Sequence, residues 1–341
     1  MRLGSAVHYA GNVLEMAERV RNWERIGLDV VWVAEAYGYD APTMMGFLAA
    51  RTERVHIGSA ILPLYSRTPA LLAQTAAGLD HISGGRAILG LGASGPQVIE
   101  GWHAVPYDKP LARTREIIDI CRRVWRRETL THDGIYQIPL PEGQGTGLGK
   151  PLKLINHPIR ADIPIFVAAL GEKNVAMAAE VANGWIPIMF IPEQAGEVWG
   201  GALAKGAESR AAELGPMEVV AGGPLAIGDD VTALRELARP NFALYIGGMG
   251  ARDRNFYFNL ACRYGFEDEA NRIQELYLDG RKEEAAALVP ARLLEHTSLI
   301  GPAGYVKERV AAYREAGVSI LNVTPIGADP TADLEQLRGW L

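Results

Sequence analysis

The chain has 341 residues, 48% hydrophobic and 22% charged, so it can bury a large core. A net charge of −6 without a basic stripe argues against a nucleic-acid partner, and no apolar run approaches the ~18 residues of a membrane span. Cys121 and Cys262 stand far apart without CxxC spacing, which argues against a structural disulfide and predicts a reducing, cytoplasmic compartment.

Strand and helix patterns alternate along the first third of the chain. Asn12 and Thr68-Pro69 are residues that commonly begin helices, and Gly27 is one that commonly ends them. Further helices are predicted from about Pro42 and from Pro110. Strands are predicted where apolar residues run together, at Leu3–His8, Asp29–Ala34, His56–Leu62 and Arg86–Leu91.

The periodicity lapses over about residues 129–164, which we interpret as an insertion made of a hairpin and a long surface loop; such insertions are usually functional or mobile. Regular patterns then resume, and residues 229–295 are predicted to form a second, helical insertion. The remaining predicted elements are strands at Ile165–Leu170, from Trp185, at Val219–Ile227 and at Ile320–Thr324, with helices to Ala182, near Glu193–Leu214 and over Pro302–Ala316.

One joint recurs three times: a helix ends at a glycine and the chain enters an apolar strand. It occurs at Gly27, Gly184 and Gly317, and glycine supplies the left-handed cap that a short helix-to-strand loop needs. Repeated units whose strands are apolar on both faces indicate a parallel sheet covered by helices. About eight units can be counted, which favours one (β/α)₈ barrel domain over residues 1–341 rather than an open, doubly wound sheet.

Local catalytic motifs are absent from the sequence. The seven histidines form no HxxxH or HExxH pair, so we predict no metal site, and GxSxG and Walker-type loops are missing. Residues 90–95 fit GxGxxG, but they follow the fourth predicted strand instead of opening the first βα turn, which argues against a Rossmann site. We interpret them as a glycine-rich loop at the barrel mouth that lets a planar ligand approach the backbone; a tight turn without a ligand is the alternative.

Several segments, in the right order, resemble the luciferase-like flavin and deazaflavin oxidoreductases. LDHISGGRAILGLGASG (79–95) is similar to the family's LDxLSGGRxxLGxG segment. The other matching segments are IGSAILPLYSRTP (57–69), AALGEKNVAMAAEVANGW (168–185) and GPAGYVKERVAAYREAGVSILNVTP (301–325). Residues 94–119 and 243–256 resemble the coenzyme F420-dependent branch known from mycobacteria.

This resemblance implies a barrel enzyme, dimeric in most relatives, that holds its cofactor at the C-terminal ends of the strands. The implied reaction is hydride transfer between C5 of coenzyme F420 and a small or apolar organic substrate. An FMN-dependent monooxygenase on the same barrel is the alternative cofactor reading. A barrel that binds cofactor without turnover is the alternative from another functional class.

The resemblance also implies where the ring system of the cofactor lies. The family's bulge beneath the ring, often held by a non-prolyl cis peptide, falls by position at Ser59 and Ala60. Small residues there, with Gly92 on the next predicted strand, suit a backbone pressed against a ring face. Ordinary barrel packing would favour the same small residues.

The family's phosphate-binding helix corresponds to the segment that follows Ala168. Free backbone N–H groups at a helix start favour an anion, so cofactor contacts are expected at Ala168, Leu170, Gly171, Lys173 and Asn174, and also at Ser94 and Gly95. Glu172 departs from the family, which often has proline there. A carboxylate beside a phosphate is unfavourable unless it points away, or unless it serves only as a first-turn helix residue.

Catalytic candidates lie where strands end at the barrel mouth. They are Glu35, His8 and Trp102, with Tyr37 as a further wall of the pocket. The family counterpart of Glu35 contacts the ring or takes part in proton transfer, whereas a salt bridge with Arg67 is the structural alternative. Some relatives have histidine directly after the Glu35 position; here it is Ala36, so that role cannot be transferred.

Residues 245–250 and 256–258 are apolar, and glycines punctuate the first of these two stretches. We interpret them as a hinge or lid over an apolar substrate, and a dimer interface would use the same composition.

Overall fold

Eight parallel strands form a closed ring in the computed structural model, which describes residues 1–7, 11–250, 252 and 255–341. Strand β1 pairs with β2 on one side and with β11 on the other, and this closes the ring in the order β1-β2-β3-β5-β6-β7-β8-β11. The predicted (β/α)₈ barrel is therefore confirmed. The strands are β1 Arg2–Val7, β2 Val30–Val33, β3 His56–Ser59, β4 Leu62–Pro63, β5 Ala87–Gly92, β6 Ile165–Ala168, β7 Gly184–Ile186, β8 Glu218–Ala221, β9 Pro224–Ile227, β10 Leu299–Gly301 and β11 Ile320–Pro325.

Helices connect the strands and cover the ring. Asn12, Asp40 and Thr68 accept hydrogen bonds from the first turns of α1, α2 and α3 through their side chains, and proline follows at the start of α3 and α5. The helices are α1 Val13–Arg25, α2 Ala41–Arg51, α3 Pro69–Ser83, α4 Pro96–Gly101, α5 Pro110–Trp125, α6 Glu172–Val181, α7 Pro192–Glu208, α8 Arg239–Ala243, α9 Phe256–Arg263, α10 Glu267–Leu278, α11 Lys282–Ala287, α12 Ala291–His296, α13 Ala303–Glu315 and α14 Pro330–Arg338. No helix in the described ranges combines the length and apolar character needed to cross a bilayer.

Two long segments interrupt the alternation, at the places where the periodicity changed. The chain between α5 and β6 forms only two isolated antiparallel bridges, Leu130 with Leu152 and His132 with Ile138. Between β9 and β10 the described residues form α8 to α12, a 3₁₀ helix at Thr232–Ala238 and one π-helical turn at Leu244–Gly248.

Two of the predicted strands are each divided into two strands in the structure. The strand predicted at His56–Leu62 is two strands, because the chain is bent between β3 and β4 by a cis peptide bond between Ala60 and Ile61. The strand predicted at Val219–Ile227 is also two, β8 and β9, since Gly222 and Gly223 interrupt it; β9 pairs with β10 as well as with β11.

The interior of the barrel is filled by a cluster separate from the main core. Trp32 and Phe166 lie with ring centroids 5.5 Å apart, and Ala60 and Ile186 pack against this cluster. Below it, Arg2 of β1 forms an ion pair with Glu218 of β8. The lower barrel is thus plugged, and any ligand must lie above this layer. The buried members of the cluster are Val30, Trp32, Ile88, Phe166, Val220 and Ile320.

Asp333 of α14 is a buried carboxyl that gives stability a pH dependence. Burial raises its pKa above the usual value, against the opposing effect of the hydrogen bond from the Ile227 N–H. A raised pKa in the folded state means that stability is full at low pH and falls as pH rises through that pKa. We therefore expect Asp333→Asn to stabilise the protein at pH 8 but not at pH 4, measured as melting temperature against pH. The exposed Asp279→Asn is the control, and an equal gain for both variants would contradict the prediction.

Candidate active site

Small residues form the top of the barrel interior beside the cis peptide. Ala60 is partly exposed above the interior cluster, and an added Cβ at Gly92 would lie 2.9 Å from Ile61 Cγ1 and 3.4 Å from Ala168 Cβ. Ala60, Gly92 and Ala168 therefore form a floor of small side chains, named here the barrel floor. The bulge was predicted at Ser59–Ala60; the cis bond lies one residue later, between Ala60 and Ile61.

The side chain of Ser59 forms part of the scaffold. It is fully buried, its hydroxyl donates to Gly90 O at 2.8 Å, and Gly90 N donates back to that hydroxyl at 2.9 Å. Its side chain therefore points away from the floor and fastens β3 to β5. The prediction that the backbone at Ser59 lies against the ring of a cofactor stays a prediction, since these hydrogen bonds involve only the hydroxyl of the side chain.

Two tryptophans hold the loop between β6 and α6. Trp185 Nε1 donates to Ala169 O at 2.8 Å, and Trp199 Nε1 donates to Leu170 O at 3.1 Å. The residue at the N-cap of α6 is Gly171, and because glycine has no side chain, it offers no side-chain acceptor to the N–H groups of the first turn. With the loop carbonyls engaged by indoles, the helix start presents N–H groups, which favour an anion.

A cavity of about 430 Å³ lies at this helix start, and we name it the α6 cavity. The predicted residues Leu170, Gly171, Lys173 and Asn174 all line it. Its opposite wall is a face of α9: Phe256, Asn259, Leu260 and Arg263. The predicted segment is therefore part of a formed cavity with two cationic side chains, one from the barrel and one from the helical segment.

Glu172 points toward the cationic wall. Its Oε1 lies 3.7 Å from Arg263 Nη2, and its side chain is 74% exposed. Arg263 also donates to Val198 O of α7. The carboxylate that was unexpected in the sequence thus neighbours a cation, but an exposed pair of this kind contributes little stability.

A second cavity, of about 400 Å³, lies at the ends of β7, β8 and β11. We name it the strand-end cavity. Its floor comes from Val220 to Pro224 and from Asn322 and Thr324 of β11, and one wall comes from Ile186 to Phe190. Leu237 to Tyr245 of the helical segment contribute the cover: Leu237, Ala238, Asn241, Phe242 and Tyr245. Of the stretch predicted as a hinge or lid, Tyr245 lines this cavity, and the rest of the cover comes from residues before it.

Asn255 joins the helical walls of the two cavities. Its side-chain amide donates to Tyr245 O at 2.9 Å and to Ile246 O at 2.8 Å, while its Oδ1 accepts from the N–H groups of Tyr257 and Phe258. Asn255 is 1% exposed. The start of α9 is therefore fastened to the π-helical turn that covers the strand-end cavity.

Glu35 forms the salt bridge with Arg67 that was the structural alternative. Two parallel contacts, Nη1 to Oε1 at 2.6 Å and Nη2 to Oε2 at 2.8 Å, join the pair, and Ala41 N donates to Oε2 at 2.7 Å. The side chains are only 6% and 13% exposed. With these three donors, the carboxylate connects the end of β2 to the start of α2 and to the loop after β4. We therefore interpret Glu35 as a residue that holds these segments in position.

The other predicted residues that the structure describes line neither cavity. Trp102 follows α4 and is 65% exposed, outside the lining of both cavities. Ser94 has left-handed backbone with φ 58°, its carbonyl accepts from Tyr107 Oη at 3.3 Å, and Gly95 caps α4. Tyr37 is 64% exposed. His8 lies outside the described residues.

Sequence reasoning missed the contributions of α9 and β11, although both carry a signal. Phe256, Leu260 and Arg263 follow one another at spacings of four and three, which places them on one helical face. Asn322 and Thr324 alternate with apolar residues in a buried strand, which places them on the same side of the sheet as the inward-facing Ile320.

Among the residues described, no group of three His, Cys, Asp or Glu side chains is arranged to hold a metal ion. Cys121 and Cys262 are both free, and burial raises the pKa of each thiol.

Comparison with known proteins gives consistent likenesses along the whole chain. The model of the luciferase-like monooxygenase family matches residues 1–319. A Mycobacterium tuberculosis protein provisionally named a coenzyme F420-dependent oxidoreductase is 42% identical over 344 residues, covering 99% of each chain. The 5,10-methylenetetrahydromethanopterin reductase of Archaeoglobus fulgidus is 28% identical over 333 residues, covering 94% of this chain and 92% of the reductase. The solved coenzyme F420-dependent tetrahydromethanopterin reductase of Methanopyrus kandleri has a TM-score of 0.79 at 22% identity, covering 100% of this chain and 98% of that one, which is a likeness of fold.

Proposed function

Because this chain belongs to the luciferase-like monooxygenase family, we propose that it is a coenzyme F420-dependent oxidoreductase. The proposed reaction is hydride transfer between C5 of the deazaflavin and an organic substrate. The full-length likeness to a relative named for this coenzyme supports the choice of cofactor. A homodimer in the cytoplasm, with one barrel domain per chain, is part of the proposal.

The observation that carries the proposal is the continuity from the barrel floor to the α6 cavity. Ala168 belongs to the floor, and two residues later Leu170 already lines the cavity. Coenzyme F420 has matching parts: a flat tricyclic ring, a ribityl chain, a phosphate and an acidic oligoglutamate tail. Small residues suit the ring, and a helix start with Lys173 and Arg263 suits the anionic end.

Two groups of residues would bind different parts of the cofactor. Ala60, Gly92 and Ala168 would hold the ring face, and Gly171, Lys173 and Arg263 would hold the phosphate and tail. When bound, the deazaflavin supplies two-electron hydride chemistry. The protein supplies orientation and exclusion of water by the helical segment, which are the contributions that a cofactor enzyme leaves to its fold.

Titration of the purified protein with coenzyme F420 and with FMN tests the proposal. We expect coenzyme F420 to quench or shift its fluorescence on binding, with FMN binding more weakly. Retention of FMN together with oxygen uptake would overturn the deazaflavin reading in favour of a flavin monooxygenase.

Arg263→Gln isolates the role of the α6 cavity. We expect this change to weaken binding of coenzyme F420 about tenfold, the worth of one charge-assisted hydrogen bond. Affinity for FO, the same ring and ribityl chain without phosphate or tail, should stay the same. The measurement is fluorescence titration of both ligands against both proteins.

The matched control is Arg281→Gln, which removes an exposed arginine paired with Glu284 elsewhere in the helical segment. Equal losses for coenzyme F420 and FO in the Arg263 variant would show that α9 had been disturbed as a whole, and would contradict a direct contact with the anionic end.

A further inference from the structure

We infer that Glu172 is a specificity residue, which lowers the affinity of the α6 cavity for a doubly charged phosphate monoester more than for a singly charged phosphodiester. FMN carries the first group and coenzyme F420 the second. This inference rests on the proposed function and names a residue that sets the choice of cofactor at the same site.

The α6 cavity contains few charged groups. Among the nine described residues that line it, the ionisable side chains are the cations Lys173 and Arg263 and the carboxylate Glu172. Two positive charges and one negative charge give the lining a net formal charge of +1. Without Glu172, both cations would be available to a bound anion. The carboxylate therefore removes favourable charge from the cavity, and a ligand with more negative charge loses more by it.

Glu172 is placed to act on a bound anion. It is the first residue of α6, directly after Gly171, so it belongs to the helix start at which the phosphate is proposed to bind. Its Oε1 lies 3.7 Å from Arg263 Nη2. A carboxylate at this distance competes with a phosphate for the same guanidinium.

The contribution of Glu172 to the fold is small by comparison. Its side chain is 74% exposed, and an ion pair in such a position adds little stability. Arg263 does not depend on Glu172 for its position, because it also donates to the carbonyl oxygen of Val198 in α7. The removal of this carboxylate should therefore change the charge of the cavity and leave its walls in place.

The two cofactors differ in the charge of the phosphate itself. In FMN the phosphate is a terminal monoester with a second pKa of about 6, so it carries close to two negative charges at pH 8. In coenzyme F420 the phosphate is a diester with a single ionisable oxygen. Repulsion between neighbouring exposed charges changes affinity by about threefold for each unit of charge. Glu172 therefore penalises the phosphate of FMN more than that of coenzyme F420.

Three ligands with the same ring and ribityl chain test the inference: FO, the methyl ester of FO 5′-phosphate, and FO 5′-phosphate. At pH 8 their phosphate charges are zero, one and close to two. Each is titrated into the full chain with the fluorescence of the ring as the signal. We expect Glu172→Gln to leave the affinity for FO unchanged, to raise that for the methyl ester about threefold and to raise that for the 5′-phosphate about tenfold.

Glu283→Gln is the matched control. Glu283 is also an exposed glutamate in the first turn of a helix, α11, and it lines neither cavity. The variant makes the same change in the net charge of the chain, so all three affinities should stay as they are in the unaltered protein. The melting temperatures of both variants should lie close to that of the unaltered protein.

Equal gains for the two phosphate esters in Glu172→Gln, or a gain for neither, would overturn the inference, because the effect would then not depend on the charge of the ligand. A graded gain of the same size in Glu283→Gln would also overturn it, since the net charge of the whole chain would be the cause.

Titration with coenzyme F420 itself separates the inference from the proposed function. If the unaltered protein binds FO 5′-phosphate but not coenzyme F420, the proposed function fails, and the three-ligand series still decides the role of Glu172. If coenzyme F420 binds and the series shows no dependence on charge, the inference fails while the proposed function stands. Binding of none of these ligands would overturn both.

Discussion

Replacing Gly90 by alanine should unfold the protein or destabilise it by about 3 kcal/mol or more. The new Cβ would lie 1.7 Å from the carbonyl oxygen of Ser59, which is main chain and cannot rotate away. Gly90 also exchanges two hydrogen bonds with the Ser59 hydroxyl, so a shift would break both. Urea unfolding measures the loss, and the same proteins titrated with coenzyme F420 should show that binding falls with it.

Gly78→Ala is the matched control. Gly78 lies exposed in α3, and an added Cβ would meet nothing within 4 Å. Alanine is preferred over glycine within a helix, so this variant should gain up to about 1 kcal/mol. If Gly90→Ala were as stable as Gly78→Ala, the close contact between β3 and β5 would not exist as described.

The second large effect is expected at Glu35. Glu35→Gln leaves the Arg67 guanidinium without its anion in a site where both side chains are largely buried, and breaking such a pair costs about 3 kcal/mol. The free energy of unfolding should fall by about this amount. Activity should fall in parallel with coenzyme affinity, because the end of β2 and the start of α2 lose their common anchor.

A catalytic acid would behave differently. If Glu35→Gln kept full stability and full coenzyme affinity but lost kcat, the carboxyl would be acting on the substrate and the positioning role would be wrong. Glu284→Gln is the control for removing a carboxylate from an ion pair, since its partner Arg281 is exposed and the cost should be near zero.

Much of the fold could be predicted because the barrel depends on patterns that lie within short segments. Apolar strands such as Asp29–Ala34 recur once per unit, and about eight units favour the closed ring. Gly27 and Gly317 have the predicted left-handed backbone, with φ 100° and 84°. The same prediction is wrong at Gly184, which lies inside β7, where an added Cβ would lie 2.4 Å from Phe166 Cδ2. The family resemblance carried by residues 57–69 and 79–95 is confirmed by the match over residues 1–319.

The errors of prediction lie where distant contacts override local pattern. The cis bond at Ala60–Ile61 divides an apolar run that was predicted as one strand, and the short helix α4 was not predicted. The strand β10 is three residues long, too short for a periodicity signal, and exists because β9 offers it a partner. The helix α14 was missed although Asp329 and Pro330 begin it as a cap and a first-turn residue.

Only the part of the candidate site that belongs to the barrel could be predicted from the sequence. The start of α6 carries a local signal, and its residues line a cavity as expected. Arg263 is 89 positions beyond Asn174, so nothing in either segment alone indicates that they face each other. Ser59 illustrates the converse: a small polar residue at the predicted place proved to be part of the scaffold, because its partner Gly90 lies on another strand.

The hydrogen bonds of Asn255 give the helical segment a consequence beyond its two walls. The side chain of Asn255 hydrogen-bonds both the cover of the strand-end cavity and the first turn of α9, which lines the α6 cavity. A ligand that immobilises α9 also restricts the cover, so a second ligand beneath the cover loses less conformational entropy on binding. By thermodynamic linkage, each ligand then raises the affinity for the other by the same factor. We therefore expect a ligand in the α6 cavity to favour binding of a second ligand in the strand-end cavity, and the reverse.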